Sequence, residues 1–171
     1  AARAPARGRA PLRRRARPLK SRGMDTIALA ALDEEDLAVV SAHLQDALLK
    51  VKDIAFLARE RRFGVALNRF VWERAARAAH GGEHERRLTG FHVDRVLSVR
   101  SRGIDRASGE TVLSLLAVTF EPDEARPPSG TVVLAFAADK EVRLAVECLE
   151  VGMKDLGPAW STPSKPSHGA A

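Results

Sequence analysis

Arg100 and Arg102 share one face of the segment "VLSVRSRGID" with Ser98, and Asp94 precedes them in the same phase. Two guanidinium groups spaced this way along a strand can clamp a carboxylate or a phosphate, because each offers a planar fork of donors. The stretch "RFGVALNRFVWE" supplies a second cluster. Phe63, Val65 and Leu67 alternate on one face, and the large residues then change phase to Phe70 and Trp72. Such a change marks a bulge or a strand contacted on both sides. It gathers Asn68, Arg69, Trp72 and Glu73 at one strand end, and Trp and Arg are favoured in recognition. The expected ligand-binding residues are Arg100 and Arg102 first, then Asn68, Arg69 and Trp72. Each has a structural alternative. Exposed arginines pair with acids on a solvated face, and Trp72 caps the core beside a polar edge.

Other reactive side chains form no recognisable constellation. His80 and His84 make an H-x3-H spacing beside Glu83 and Glu85, but Gly81 and Gly82 break the helix that would align them on a metal. Cys148 follows the phase of Val142, Leu144 and Val146, which predicts a small buried apolar residue and not a nucleophile. His43 lies beside an apolar helical stripe, and His92 alternates with Phe91 and Val93. Neither has a triad partner in sequence. There is no dinucleotide fingerprint and no lysine-containing phosphate loop. No catalytic residue, no metal and no cofactor is expected.

The elements that must position these residues begin after a basic tail. Nine of the 28 Lys and Arg fall in residues 1–23, and all 22 acids come later. Residues 24–171 therefore carry 19 bases against 22 acids, a net of −3, so the overall charge of +6 belongs to the tail. Of those first 23 residues, 19 are Ala, Arg, Gly or Pro, which predicts disorder. Met24 is the expected start of the cellular protein, with a single α+β domain over 24–160 and a turn-rich tail over 161–171. One cysteine excludes an internal disulfide and fits a cytoplasmic setting. No apolar run reaches the ~18 residues that span a bilayer, so no membrane partner is expected.

Within the domain, "DEEDLAVVSAHLQDALLKV" predicts one amphipathic helix. Asp33 is its N-cap, and Leu37, Val40, Leu44, Ala47, Leu48 and Val51 form its stripe. Residues 54–58 and 63–72 predict a hairpin across "RERR", and 73–90 a charged connection. Strands are expected near 91–102, 111–121, 130–137 and 140–149. "TVLSLLAVTF" is apolar on both faces, so it should be central and covered twice, by sheet curvature, a second layer or a homodimer partner. The expected fold is α+β: one N-terminal amphipathic helix packed on a mostly antiparallel, barrel-like sheet of about six strands.

The strings "ALDEEDLAVVSAHLQDALLKVKDIAFL", "RRFGVALNRFVWE", "VLSVRSRGIDR", "VLSLLAVTFEP" and "VRLAVECLEVGMKDLGPAWSTPSKPSH" resemble a family of small uncharacterised alphaproteobacterial proteins. The resemblance covers about 31–168. It implies a bacterial cytoplasmic setting and a domain of unknown function, and it transfers no catalytic residue.

Three functions follow as expectations. The leading one is a non-enzymatic binding or assembly module, as a homodimer or with another protein partner. The second is an enzyme or binding protein for a small anionic metabolite at Arg100 and Arg102. The third is non-specific nucleic-acid binding through the basic tail. The folded domain, being slightly acidic, is not expected to bind nucleic acid itself.

Overall fold

In the computed structural model, which describes residues 26–72 and 84–162, one α-helix and ten strands follow one another. In chain order they are β1 (Ala28–Ala31), α1 (Glu34–Leu44), β2 (Ala47–Lys50), β3 (Ile54–Leu57), β4 (Arg62–Phe70) and β5 (His84–Val93). Then come β6 (Val96–Arg102), β7 (Val112–Pro122), β8 (Gly130–Phe136), β9 (Lys140–Val146) and β10 (Val151–Thr162). A short 3-10 turn, Val51–Asp53, joins β2 to β3. The expected basic tail, the Met24 start and the His80 and glycine segment lie outside the described residues.

The strands form one antiparallel sheet in the order β1-β10-β5-β4-β2-β7-β8-β9-β6, with β3 paired to β4 off that path. One helix on a mostly antiparallel sheet is the expected fold. The count of about six strands is corrected to ten, and the sheet is not closed. Its inward faces nevertheless share one core, in which Phe63, Phe91 and Met153 join Leu115, Leu134 and Leu144.

Helix α1 starts where its chemistry requires. The Asp33 carboxylate accepts the Asp36 N–H at 2.8 Å, and Glu34, Glu35 and Asp36 fill the first turn. Leu37, Val40 and Leu44 are buried against the core. The helix ends at Leu44, seven residues before the expected end at Val51. Asp46 sits at φ +61°, a left-handed conformation that Asp tolerates, and the chain turns into β2. Ala47, Leu49 and Val51 then enter the core with period two, so the end of the expected helical stripe belongs to a strand. The helix packs on β1 and β7, where the Ser41 hydroxyl accepts the Val118 N–H at 2.9 Å. That bond satisfies β7 just beyond the last residue paired to β2.

Strand β7 is central, between β2 and β8. Its second apolar phase comes from a bulge between Leu115 and Ala117 and not from double coverage. Leu113, Leu115 and Val118 point inward across the bulge, while Val112 and Leu116 stay exposed. The β3–β4 and β8–β9 hairpins match expectation, the second turning through Ala138 and Asp139 at positive φ.

Three further corrections concern pairing. Residues 84–90 belong to β5, and the expected strand over 91–102 is two strands broken at Arg95 (φ +60°). Residues 151–162, which lie beyond the expected strands and reach into the expected tail, form β10 between β1 and β5. There Leu156, Gly157 and Pro158 loop out between Asp155 and Ala159, so the turn signal marks a bulge within a strand. Cys148 lies beyond the end of β9 and is half-buried, not fully buried.

One close approach is open to direct test. A Cβ on Gly130 would lie 2.5 Å from the Glu121 carbonyl oxygen and 2.5 Å from Phe120 Cζ. Gly130→Ala should cost about 1–3 kcal/mol, as overpacking does. A lowered urea midpoint at unchanged slope is the expected readout; an unchanged midpoint would show that the β7–β8 loop yields freely.

Candidate functional site

The sheet forks at β4. The C-terminal part of β4 pairs with β2 through Asn68 and Leu48, and β2 pairs in turn with β7. The N-terminal part pairs with β3, from Ile54 opposite Val65 to Leu57 opposite Arg62. Among the described residues strand β3 bonds no strand but β4, and β6 bonds none but β9. A pocket of ≈ 520 Å³ opens between these two edges. Its floor is Val51, Phe63, Val99 and Val142, and its walls carry Ile54 and Phe56 from β3 and Leu97, Ser98 and Ser101 from β6.

Both ends of this seam are held by backbone bonds. At one end the Val96 N–H donates to the Arg61 carbonyl at 2.8 Å. At the other, the Val51 N–H donates to Thr111 O (3.0 Å) and the Lys52 N–H to Gly109 O (2.9 Å), which draws the β6–β7 loop against the 3-10 turn. That loop contributes Ile104 and Arg106. Of the twelve lining residues eight are apolar, and the two charged ones, Lys52 and Arg106, are both basic. Phe56 and Leu97 line the pocket and are 38% and 53% exposed, so its rim carries exposed apolar surface.

Lys52 is engaged: with Lys50 it grips Glu110, whose carboxyl is held at about 2 by the hydrogen bonds from Lys50 and Lys52. Arg106 makes no ion pair among the described residues.

A second polar cluster lies inside the core. Arg69 continues the inward face of Phe63, Val65 and Leu67, and Asp155 continues that of Val151 and Met153; both are buried. The Asp155 carboxylate accepts Arg69 Nε and Nη2 at 2.8 Å each, Thr89 Oγ1 at 2.7 Å and the Ile27 N–H at 2.9 Å. Arg87 Nη1 lies 3.5 Å away. Burial alone would raise the Asp155 pKa, but the hydrogen bonds from Arg69, Ile27 and Thr89 and the Arg69 charge hold it at about 2. The carboxylate carries no proton at neutral pH and its lone pairs are taken. It is a clamp: Asp155 N–H also donates to Ile27 O, so both faces of this residue fasten the chain leading into β1.

The residues expected to bind a ligand fall in four places. Arg69 is in the buried clamp. Asn68, pointing the other way, lines an outer-face pocket of ≈ 330 Å³ with Leu48, Leu88 and Val112. Trp72 packs on Phe70 with ring centroids 4.4 Å apart, and its Nε1 donates to Gln45 O at 3.1 Å. Strand β4 has no bulge at this point, so the phase change reflects contact on both sides. Arg86 covers Phe70 from 5.9 Å and donates to both Asp46 O and Asn68 O at 3.2 Å. Arg100 and Arg102 are exposed on β6 whereas Arg69 is buried on β4, so the two expected clusters stand in different surroundings. Arg102 holds Asp139 by two bonds of 3.2 and 3.1 Å, and Arg100 sits opposite Arg143 in register.

His43, His92 and Cys148 occupy α1, β5 and the segment after β9, and the pocket that Cys148 lines contains no histidine. Among the described residues no group of three or more His, Cys, Asp or Glu is placed to hold a metal ion, and no helix is long and apolar enough to cross a membrane.

A family model described as "Protein of unknown function (DUF2948)" matches residues 27–168. The chain belongs to this family. The match to DUF2948 begins at Ile27, the residue clamped by Asp155, and takes in all ten strands and both walls of the seam. No curated protein and no solved structure matches the chain.

The clamp sets a pH dependence. Its carboxyl pKa is lower folded than the ~3.9 of an unfolded Asp, so the stabilisation is complete above about pH 4. It is lost as pH falls toward 2 and amounts to about 2–3 kcal/mol. Asp155→Asn should cost ~3–5 kcal/mol at pH 7, because it leaves buried Arg69 without its counter-charge. The variant's stability should also change less than the parent's between pH 4 and 2. Denaturant titrations across this range read both, and parallel pH profiles would rule the clamp out as the source.

Proposed function

We propose that this DUF2948 chain is a non-catalytic binding module whose ligand occupies the seam between β3 and β6. The observation that carries this reading is the pocket itself, a volume of ≈ 520 Å³ lined from both β3 and β6, two strands that each have one strand partner among the described residues. Small-molecule sites run to about 300–1,000 Å³, are mostly apolar, and carry a few polar groups that fix orientation. The eight apolar side chains supply the first property. Ser98, Ser101 and the unpaired backbone of two edges supply the second. On β6 the pocket-lining Val99 and Ser101 alternate with Arg100 and Arg102, so this reading places the ligand behind the arginine pair and not on it.

The uncharged dye N-phenylnaphthylamine, whose fluorescence rises in apolar surroundings, should bind the folded protein saturably at one site. Ser101→Trp places an indole from an exposed wall position into the pocket. It should abolish the fluorescence rise while leaving the thermal midpoint within a few degrees of the parent. Unchanged dye binding in this variant would remove the seam from consideration.

A further inference from the structure

We infer that the ligand of the seam is an anionic amphiphile, an alkyl-like body with a carboxylate or phosphate head, and that Arg106 receives the head. The inference rests on the seam being the binding site and adds the ligand's class. Three observations carry it. The lining separates by chemistry: Val51, Phe63, Val99 and Val142 form a floor without charge, while both charged residues stand where the β6–β7 loop meets the 3-10 turn. No acidic side chain lines the pocket, so its fixed charge is entirely positive. Finally, the cations differ in availability. Lys52 is committed to Glu110, whereas Arg106 is exposed and makes no ion pair among the described residues.

The loop carrying Arg106 is itself braced. Asp105 accepts the Ala107 N–H at 2.9 Å and the Ser108 hydroxyl at 2.7 Å, so its carboxylate is turned into its own loop. These bonds lower the Asp105 pKa, the Ser108 bond most, and the group remains an anion occupied locally. The neighbouring guanidinium is left to face a ligand with a fork that suits carboxylate or phosphate oxygens. The apolar body would cover Phe56 and Leu97, which the free protein exposes.

Displacement of N-phenylnaphthylamine from the full chain tests this with three ligands of equal chain: laurate, dodecyl phosphate and dodecanol. The two anions should displace the dye at about tenfold lower concentration than the alcohol, the worth of one charge-assisted hydrogen bond. Their relative potency distinguishes a carboxylate from a phosphate head. Arg106→Glu should abolish the advantage of the anions and leave dodecanol unchanged. Arg126→Glu, the same charge reversal in the β7–β8 loop, should change neither.

Equal potency of all three ligands would overturn the inference while leaving the seam as an apolar site. So would an anion preference that survives Arg106→Glu. Stronger displacement by an apolar pentapeptide with blocked ends would also overturn it, and would assign the seam to an added strand. If the dye does not bind the parent protein at all, the seam reading falls and the inference with it.

Discussion

Backbone hydrogen bonding at the 3-10 turn Val51–Asp53 governs the shape of this molecule. Val51 and Lys52 give their N–H groups to Thr111 and Gly109 and not to a neighbouring strand. The chain therefore leaves β2 beside β7 and resumes as β3 without β7. Strand β4 spans both segments, so its two halves acquire different neighbours and the sheet divides. A buried backbone group without a partner is costly, so strand edges in a folded domain are normally paired, covered or wet. The edges of β3 and β6 are left with the third option unless something occupies the seam. The pocket is thus a consequence of how the strands are connected and not of an absent side chain.

The opposite end of the core is closed by charge. Arg69, Thr89 and Asp155 face inward from three adjacent strands, β4, β5 and β10, and the carboxylate also takes the Ile27 N–H at the entry to β1. Desolvating these ions is expensive, and a well-packed apolar core would be at least as stable. What the pair adds is geometric. A bidentate fork admits one relative position of β4 and β10, which fixes a strand that otherwise carries Gly157 and Pro158 and pairs across a bulge. The core is closed at the clamp and open at the seam.

Much of the architecture could be read from the residues, because local chemistry and tertiary role agree there. The Asp33 cap, the inward stripe of α1, and the β3–β4 and β8–β9 hairpins are of this kind. Where reading failed, two patterns coincided. Ala47, Leu49 and Val51 fit a strand, but Ala47, Leu48 and Val51 continue a helical stripe equally well, and only the left-handed Asp46 decides between them. In β10, Gly157 and Pro158 imitate a loop. The buried clamp does have a signal in sequence: Arg69, Arg87 with Thr89, and Asp155 each extend the apolar phase of their own strand. A charge in an apolar phase implies an opposite charge in the same phase of another strand. The seam had no such signal. It depends on which edges fail to meet, a property of topology that no single segment contains: the charge pattern of β6 points to Arg100 and Arg102, whereas the pocket is lined by Val99 and Ser101, which alternate with them.

The seam requires that the edges of β3 and β6 be unpaired with each other in the free protein. Residue-resolved amide hydrogen exchange measures that directly, since along an edge strand successive N–H groups alternate between the partner and the open side. In β3 and in β6 the amides bonded to β4 and β9 should be protected, and those alternating with them, on the seam side, should exchange fast and slow down when the seam is filled. Uniform protection along both strands in the free protein would mean that they pair with each other, and the seam would not exist in solution.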